Sequence, residues 1–208
     1  YAVYLAYNSN KFNMGISDEN VRRVKNKYSI VNDYILYLGT LKPSKNIEGL
    51  IEAFSLITDH WPQVTLVISG KKGWLYDSIF KKVENVGLSD RVIFTGFIAE
   101  EDKPALIKGA KVFVTPSFWE GFGLDALSAM AVGTPVVAAN VGSLPEVVGN
   151  AGILVDPKDP KSIAVGIQEV LSASKKKYNR MVAAGLLRVK DFSWEKTARE
   201  ILRIITNF

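Results

Sequence analysis

A carboxylate lies beside two glycines in the stretch SFWEGFGLDALSAMAVGTPVV, which covers residues 117–137. Glu120 comes first, and Gly121 and Gly123 follow it. Glycine lets the backbone approach a ligand closely. The apolar run behind Gly123 predicts a helix, whose N-terminus offers unpaired N–H groups and a partial positive charge. The pattern therefore suits a phosphate at a helix N-terminus, although from spacing alone Glu120 could equally be an ordinary acidic residue near a helix start.

A second candidate phosphate-binding loop is GTLKPSKN, residues 39–46, which follows an apolar run. Its donor side chains are Thr40, Lys42, Ser44 and Lys45. Hydroxyl, ammonium and backbone N–H groups are the donors that a phosphate needs. The alternative is a solvated turn in which Asn46 caps the next helix. Neither a Walker pattern nor Gly-x-Gly-x-x-Gly occurs here. A further loop, GKKGW at 70–74, adds lysines and glycines.

Composition excludes several other classes of site. The 208 residues are 48% hydrophobic and 23% charged, with a net charge of +5, which is ordinary for a globular protein. Because the sequence has no cysteine and a single histidine, His60, thiolate metal sites, disulfides and a histidine-based triad cannot form within it. No apolar run approaches the ~18 residues of a membrane span, and no nucleic-acid-binding motif is present. We expect no metal, no cofactor and no nucleic-acid partner.

Apolar runs alternate with segments of helical spacing along the chain. The runs predict strands at 34–40, 63–70, 91–97, 110–117, 134–140 and 151–157. Helices are predicted at 46–57, 74–87 and 100–110, from Gly123, at 142–150, and near 159–173, 175–190 and 193–206. Apolar strands separated by helices predict an α/β fold: a doubly wound parallel sheet of about six strands with helices on both faces. Ligands of such sheets bind beyond the carboxyl ends of the strands, at a topological switch point.

Five blocks of the sequence resemble the C-terminal, nucleotide-sugar-binding domain of group 1 (family 4) retaining glycosyltransferases. The blocks span about residues 30–208 and read YLGTLKPSKNIEGLIEAF, LVISGKKGW, VIFTGFI, PSFWEGFGLDALSAMAVGTPVVAANVGSLPEVVGNAGILVDPKDP and FSWEKTAREIL. The fourth block is the most specific. The resemblance implies the Rossmann-like half of a GT-B fold, in which two such domains enclose a cleft.

The resemblance also implies a role for each matching residue. Glu120 matches the first Glu of the family's Glu-x7-Glu motif, which binds hydroxyl groups of the donor sugar. Lys45 matches the lysine that neutralises the diphosphate, and both residues are the implied catalytic ones, through positioning and charge stabilisation. Phe97 and Ile98 fall where the family holds the nucleobase. The other implied substrate-binding residues are Gly39, Thr40, Ser44, Lys71, Ser117, Gly121, Phe122, Gly123, Leu124 and Ser128.

Three positions depart from the family's pattern. Ser128 stands where the second Glu of the motif would bind the ribose hydroxyls, and Ser44 replaces an Arg in the first loop. Asp125 replaces the usual Pro and brings a negative charge near the diphosphate, unless its side chain points to solvent. A charge-assisted hydrogen bond contributes ~1.5–3 kcal/mol, so each loss would weaken donor binding about tenfold or more. These departures indicate an altered donor or a weakened enzyme.

The expected function is that of a donor-binding domain, which transfers a sugar with retention of configuration once joined to an N-terminal acceptor domain. We expect residues 1–30 to be an interdomain linker with a lead-in helix, 31–190 the nucleotide-sugar-binding domain, and 191–208 a helix that returns toward the missing domain. The implied partners are a UDP- or GDP-sugar, an unidentified glycan or lipid-linked acceptor, and that N-terminal Rossmann domain. The implied location is cytoplasmic, with peripheral membrane association left open for the full-length enzyme. A non-catalytic nucleotide-sugar-binding module and a nucleotide-sugar 2-epimerase remain as alternatives.

Overall fold

A six-stranded parallel sheet forms the centre of the protein in the computed structural model, which describes residues 2–206. The predicted linker and last helix also include Tyr1, Asn207 and Phe208, which lie outside the described residues. The strands are β1 (Tyr34–Leu38), β2 (Thr65–Ser69), β3 (Val92–Gly96), β4 (Val112–Thr115), β5 (Val136–Ala139) and β6 (Ile153–Val155). All neighbouring pairs are parallel, in the order β3-β2-β1-β4-β5-β6. The predicted fold class is confirmed.

Helices connect the strands and close the chain. They are α1 (Asp18–Lys27), α2 (Ile47–Ser55), α3 (Asp77–Asn85), α4 (Lys103–Lys108), α5 (Leu124–Ala131), α6 (Leu144–Val148), α7 (Pro160–Leu171), α8 (Lys175–Arg188) and α9 (Trp194–Thr206). Short 3-10 turns lie at Pro43–Lys45, Gly149–Ala151 and Val189–Asp191. Each element matches a predicted segment, but most are a few residues shorter, because hydrophobic spacing locates a helix or strand without locating its caps.

Two hydrophobic cores cover the two faces of the sheet. Tyr34 and Leu36 of β1 pack in one core with α4, α5 and α6. Ile35 and Tyr37, the alternate residues of β1, pack in the other with α2, α3 and α7. All four side chains are buried, and each contributes roughly 1.5–3 kcal/mol through its removal from water. A strand that is apolar at every position is thereby explained, since both of its faces are covered.

The direction of strand addition reverses between β1 and β4. From β1 the chain adds β2 and β3 on one side, and it then crosses to add β4, β5 and β6 on the other. The loops that follow β1 and β4 therefore leave the sheet side by side, at its carboxyl edge. This is the topological switch point, where ligands of such sheets bind.

Buried Asn46 fastens three of the loops at this edge. Its amide nitrogen donates to the backbone carbonyl of Pro116, after β4, at 3.0 Å, and to that of Pro157, after β6, at 2.6 Å. The backbone of Asn46 is left-handed, with φ of 53°, a conformation that asparagine tolerates better than most residues. Its side chain does not cap α2, so the alternative of an ordinary capped turn does not describe this loop.

The segment before β1 is attached to the domain by ion pairs to one buried carboxylate. Asp102, which is fully buried before α4, accepts hydrogen bonds from Arg23 at 2.8 Å, Lys27 at 2.6 Å and Tyr28 at 3.0 Å. Burial alone would raise the pKa of Asp102, but these hydrogen bonds outweigh it and hold the pKa below its usual value. These contacts therefore join α1 to the start of α4.

The first residues also contact the last helix. Thr197 in α9 donates a hydrogen bond from its hydroxyl to the backbone carbonyl of Tyr4 at 2.7 Å. The Tyr4 ring packs edge-on against Phe192, with ring centroids 5.6 Å apart. The division into an interdomain linker, a core domain and a returning helix stays a prediction.

Replacing Asn46 tests whether its side chain holds the loops. We expect Asn46→Ala to lower the free energy of unfolding by about 2–4 kcal/mol, since two buried carbonyls lose their donor and alanine disfavours the left-handed backbone. Asn46→Gly removes the same hydrogen bonds without the backbone strain, so it should cost about 1 kcal/mol less. Urea unfolding followed by circular dichroism measures both variants. A glycine variant as stable as the wild type would show that these hydrogen bonds do not hold the loops.

Candidate functional site

The centre of the candidate site is an ion pair between the loops that follow β1 and β4. The Lys45 Nζ atom lies 2.5 Å from the Glu120 Oε2 atom. Both side chains are largely shielded, with 18% and 22% of their surface exposed. The hydroxyl of buried Ser117 donates a second hydrogen bond to the same oxygen at 3.3 Å. Two loops that are distant in sequence therefore place opposite charges in contact, where water screens them only in part.

Backbone contacts hold Glu120 in this position. The Phe118 N–H donates to the Ser44 carbonyl at 3.0 Å, which joins the loop after β4 to the loop after β1. On the other side, the Ser143 hydroxyl donates to the Glu120 carbonyl at 3.2 Å. Gly142 has φ of 58°, and a β-carbon there would lie 2.7 Å from that carbonyl oxygen. The residues before α6 therefore pack directly against the backbone of Glu120, and only glycine at position 142 leaves room for this contact.

A second glycine opens α5 at the mouth of the site. Gly123 has a left-handed backbone with φ of 94°, and a β-carbon would lie 2.7 Å from the Leu144 Cδ2 atom. The residue thus combines a conformation that favours glycine with close packing against α6. The backbone N–H groups of the first turn of α5 consequently lie beside the Lys45–Glu120 pair, which suits an anionic group.

Two adjoining pockets lie at this edge of the sheet, and the ion pair lines one of them. The first, of about 330 Å³, contains Lys45 and Glu120 in its wall. The second, of about 320 Å³, lies beyond the carboxyl ends of β1, β2 and β3. Leu38, Gly39 and Asp125 line both pockets and therefore mark their junction. A ligand that fills both pockets must pass over these three residues.

Most of the site residues predicted from the sequence meet in these two pockets. The first is lined by Gly39, Lys45, Ser117, Glu120, Gly121, Phe122, Gly123 and Leu124. The second is lined by Gly39, Thr40, Lys71, Phe97 and Ile98. Ser44 and Ser128 line neither pocket. Ser44 contributes its backbone carbonyl to the Phe118 N–H, and Ser128 is buried within α5 with 6% of its surface exposed.

Asp125 faces the pockets rather than open solvent. Its side chain is half-buried in the first turn of α5. Burial raises the pKa of the Asp125 carboxyl to about 6; Lys103 opposes this increase and Glu120 adds to it. Lys45 and Glu100 act more weakly, in opposite directions. The pKa of the carboxyl group is therefore about 6, and its charge at the pocket junction depends on pH.

Three further residues belong to the site, although no feature of the sequence predicted a functional role for them. Lys103, at the start of α4, lines the second pocket, and no motif marks it. Tyr37 lines the first pocket and donates from its hydroxyl to the Thr40 carbonyl at 3.3 Å; burial raises its pKa far above the usual value, so it stays protonated. Asn46 joins the loops, and the one available signal was the tolerance of asparagine for a left-handed backbone.

Beyond these two pockets, the described residues contain a further pocket but no cluster of metal ligands. Residues 2–206 contain no group of three or more potential His, Asp or Glu metal ligands. Within the same range, no helix has the length and apolar character needed to cross a membrane. A pocket of about 270 Å³ lies near the starts of β5 and β6, beside Gly152 and Arg180, at the opposite end of the sheet from Glu120.

The comparisons with known proteins agree with this architecture. The family described as "Glycosyl transferases group 1" matches residues 19–188. The O-antigen chain mannosyltransferase B of Escherichia coli is 40% identical over 181 residues, which are 86% of this chain and 47% of that protein. The chain belongs to the group 1 glycosyltransferase family. It spans about half the length of this relative.

Solved structures of similar proteins share the fold. Anabaena HepE, in complex with UDP and glucose, has a TM-score of 0.89 and 24% identity, and the match covers all of this chain and 57% of HepE. The C-terminal domain of a group 1 glycosyl transferase (LpcC) from Francisella tularensis has a TM-score of 0.76 and 26% identity, with 88% of this chain and 96% of that domain covered. The Rossmann-like half of a GT-B fold is thus confirmed.

The stability of the protein should depend on pH through Asp125. Because the folded state raises the pKa to about 6, stability falls as the pH rises from about 4 to 6 and is then constant for this group. We expect Asp125→Asn to raise the free energy of unfolding by ~1–3 kcal/mol at pH 8 and by little at pH 4. Urea unfolding of both proteins at the two pH values measures this difference. An equal effect at pH 4 and pH 8 would contradict the raised pKa.

Proposed function

We propose that this chain is the donor-binding half of a retaining glycosyltransferase that uses a nucleoside-diphosphate sugar. The observation that carries the proposal is the Lys45–Glu120 pair, which lines the first of two adjoining pockets at the switch point of the sheet. Family membership supports the reaction class. The E. coli relative is named a mannosyltransferase, and HepE was solved with UDP and glucose. A UDP- or GDP-sugar is accordingly the proposed donor.

The diphosphate fits the first pocket. Lys45 supplies a positive charge there, and the glycine loop and the first turn of α5 supply backbone N–H groups. When a diphosphate enters, Lys45 can turn from Glu120 toward the phosphate oxygens. Stabilising the charge that develops on the leaving diphosphate is the contribution that these groups make to transfer.

The nucleobase fits the second pocket. Phe97 is 56% exposed there and offers an aromatic face. The Lys71 ammonium lies 4.7 Å from the centre of the Phe97 ring, a cation–π contact at the pocket wall. An aromatic side chain with an exposed face can stack against any of the nucleobases. We therefore propose that the base lies beyond β1 and β2, and that the diphosphate lies beside α5.

The donor sugar then lies next to Glu120. Once Lys45 engages the diphosphate, the Glu120 carboxylate is released to accept hydrogen bonds from sugar hydroxyls. The proposed roles of these residues are positioning and charge stabilisation, and no residue is proposed as a general base. The acceptor, a glycan or lipid-linked molecule, would approach across a cleft from an N-terminal Rossmann domain of the same enzyme. The length of the E. coli relative, of which this chain covers about half, leaves room for such a domain.

The Lys45→Ala variant tests whether Lys45 contacts the diphosphate or the base. We expect the variant to bind UDP or GDP about tenfold or more weakly, because a charge-assisted contact of ~1.5–3 kcal/mol is lost. Binding of uridine or guanosine should change little, since the base pocket is intact. Calorimetry measures both affinities. Lys82→Ala is the matched control, because Lys82 also forms an ion pair, with Glu52 at 2.6 Å, but lies outside both pockets.

Equal losses for nucleoside and diphosphate in the Lys45→Ala variant would show that Lys45 does not contact the phosphates. A wild-type chain that binds none of these ligands would contradict the donor-binding role itself. An activity assay of the enzyme that contains the acceptor domain then distinguishes a transferase from a non-catalytic module. Sugar transfer to an acceptor supports the transferase, and binding of a nucleotide sugar without turnover supports the non-catalytic module.

A further inference from the structure

The carboxylate of Asp125 lies at the junction of the two pockets without a partner. It lines the first pocket beside Gly123 and Leu124, and the second beside Gly39 and Lys103. Within residues 2–206, no hydrogen bond or ion pair engages its side-chain oxygens. A half-buried acid that faces a pocket and has no partner is available to a ligand. Its oxygens can only accept hydrogen bonds when ionised, so the ligand must supply donors.

We propose that Asp125 binds the ribose of the nucleotide donor by accepting hydrogen bonds from its vicinal hydroxyl groups. The inference rests on the proposed function, because it assumes that a nucleotide fills both pockets. In every nucleotide the ribose joins the base to the phosphate. If the base lies against Phe97 and the diphosphate beside Lys45, the ribose lies over the junction, where Asp125 is the acidic side chain.

The chemistry of a carboxylate suits this contact. The two oxygens of one carboxylate can accept from two neighbouring hydroxyl groups, and an acidic residue commonly holds the ribose in dinucleotide-binding folds. The contact would also favour the ionised form of Asp125. The positive end of α5 and the ammonium group of Lys103 offset the repulsion between this charge and the diphosphate.

Ser128 cannot take this role in the described geometry. It lies three residues after Asp125 on α5, about 4.5 Å further along the helix axis, and its side chain is buried away from both pockets. Residues three apart share a helix face. The chain therefore carries its carboxylate one turn closer to the N-terminus of α5, at the position that reaches the pocket junction.

Ribose and deoxyribose nucleotides test the contact directly. Calorimetry with UDP, GDP and ADP identifies the tightest ligand, and its 2′-deoxy counterpart is then titrated under the same conditions. We expect the wild type to prefer the ribonucleotide about tenfold or more. Asp125→Ala should reduce this ratio to about one or two, mainly by weakening the ribonucleotide, while the deoxynucleotide binds nearly as before.

Two further variants make the result decisive. Asp125→Asn keeps one acceptor oxygen but loses the charge, so its preference should fall between those of the wild type and Asp125→Ala. Asp18→Ala removes an exposed acid from the first turn of α1 and should retain the full preference. Since alanine favours helices, and deoxynucleotide binding reports a folded site, loss of discrimination by Asp125→Ala is not explained by misfolding.

The outcomes distinguish this inference from the proposed function. If the wild type binds none of UDP, GDP and ADP, the donor-binding role is overturned and the ribose contact with it. If the wild type binds one of them and binds its 2′-deoxy counterpart with equal affinity, the ribose contact alone is overturned. Full ribose preference in Asp125→Ala also overturns it and assigns the discrimination to another residue.

Discussion

The amide of Asn46 is the contact on which the geometry of the site depends. It joins the loop after β1 to carbonyl groups in the loops after β4 and β6. Because Lys45 immediately precedes Asn46, and Glu120 lies four residues beyond Pro116, the hydrogen bond to Pro116 also holds the opposite charges close together. The buried carbonyls would otherwise lack a donor, a situation that costs about 1–3 kcal/mol per group. The requirement to satisfy these backbone groups therefore positions the polar site.

The Lys45–Glu120 pair shows how the site can be both stable and ready for a ligand. The two charges neutralise each other in a partly shielded pocket, which limits the cost of burying either of them alone. A diphosphate offers Lys45 a stronger partner, and sugar hydroxyls offer Glu120 replacement donors. In the proposed complex, the ion pair would be exchanged for two ligand contacts, and both charged groups would keep hydrogen-bonding partners. Asp125 adds a third charge at the junction, whose ionisation depends on its surroundings.

Much of the fold followed from the sequence because its signal is local. The run 34–38 is apolar or aromatic at every position, and that pattern predicts a buried parallel strand without any tertiary information. The order of the strands is not local. The sequence predicted a switch point but could not place it between β1 and β4, because that order depends on which crossovers pack best.

The site was predictable only in part, for the same reason. Glu120 and Lys45 lie in short motifs that resemble those of a known family, and the structure brings the two side chains together. The role of Asn46 in joining the loops could not be predicted, because the carbonyl groups that accept its hydrogen bonds lie 70 and 111 residues away in the sequence. Asp125 was recognised as a departure, but its direction toward the pockets depends on packing around α5.

In the proposed function, the loops after β1 and β4 form one nucleotide site at the switch point. Amide correlation spectra of the ¹⁵N-labelled chain, recorded while UDP or GDP is added, show which residues the nucleotide contacts. We expect the largest shift changes to fall on residues 39–40, 97–98 and 120–125. Largest changes at the opposite end of the sheet, around Gly152 and Arg180, would contradict this proposal, as would spectra that neither nucleotide alters.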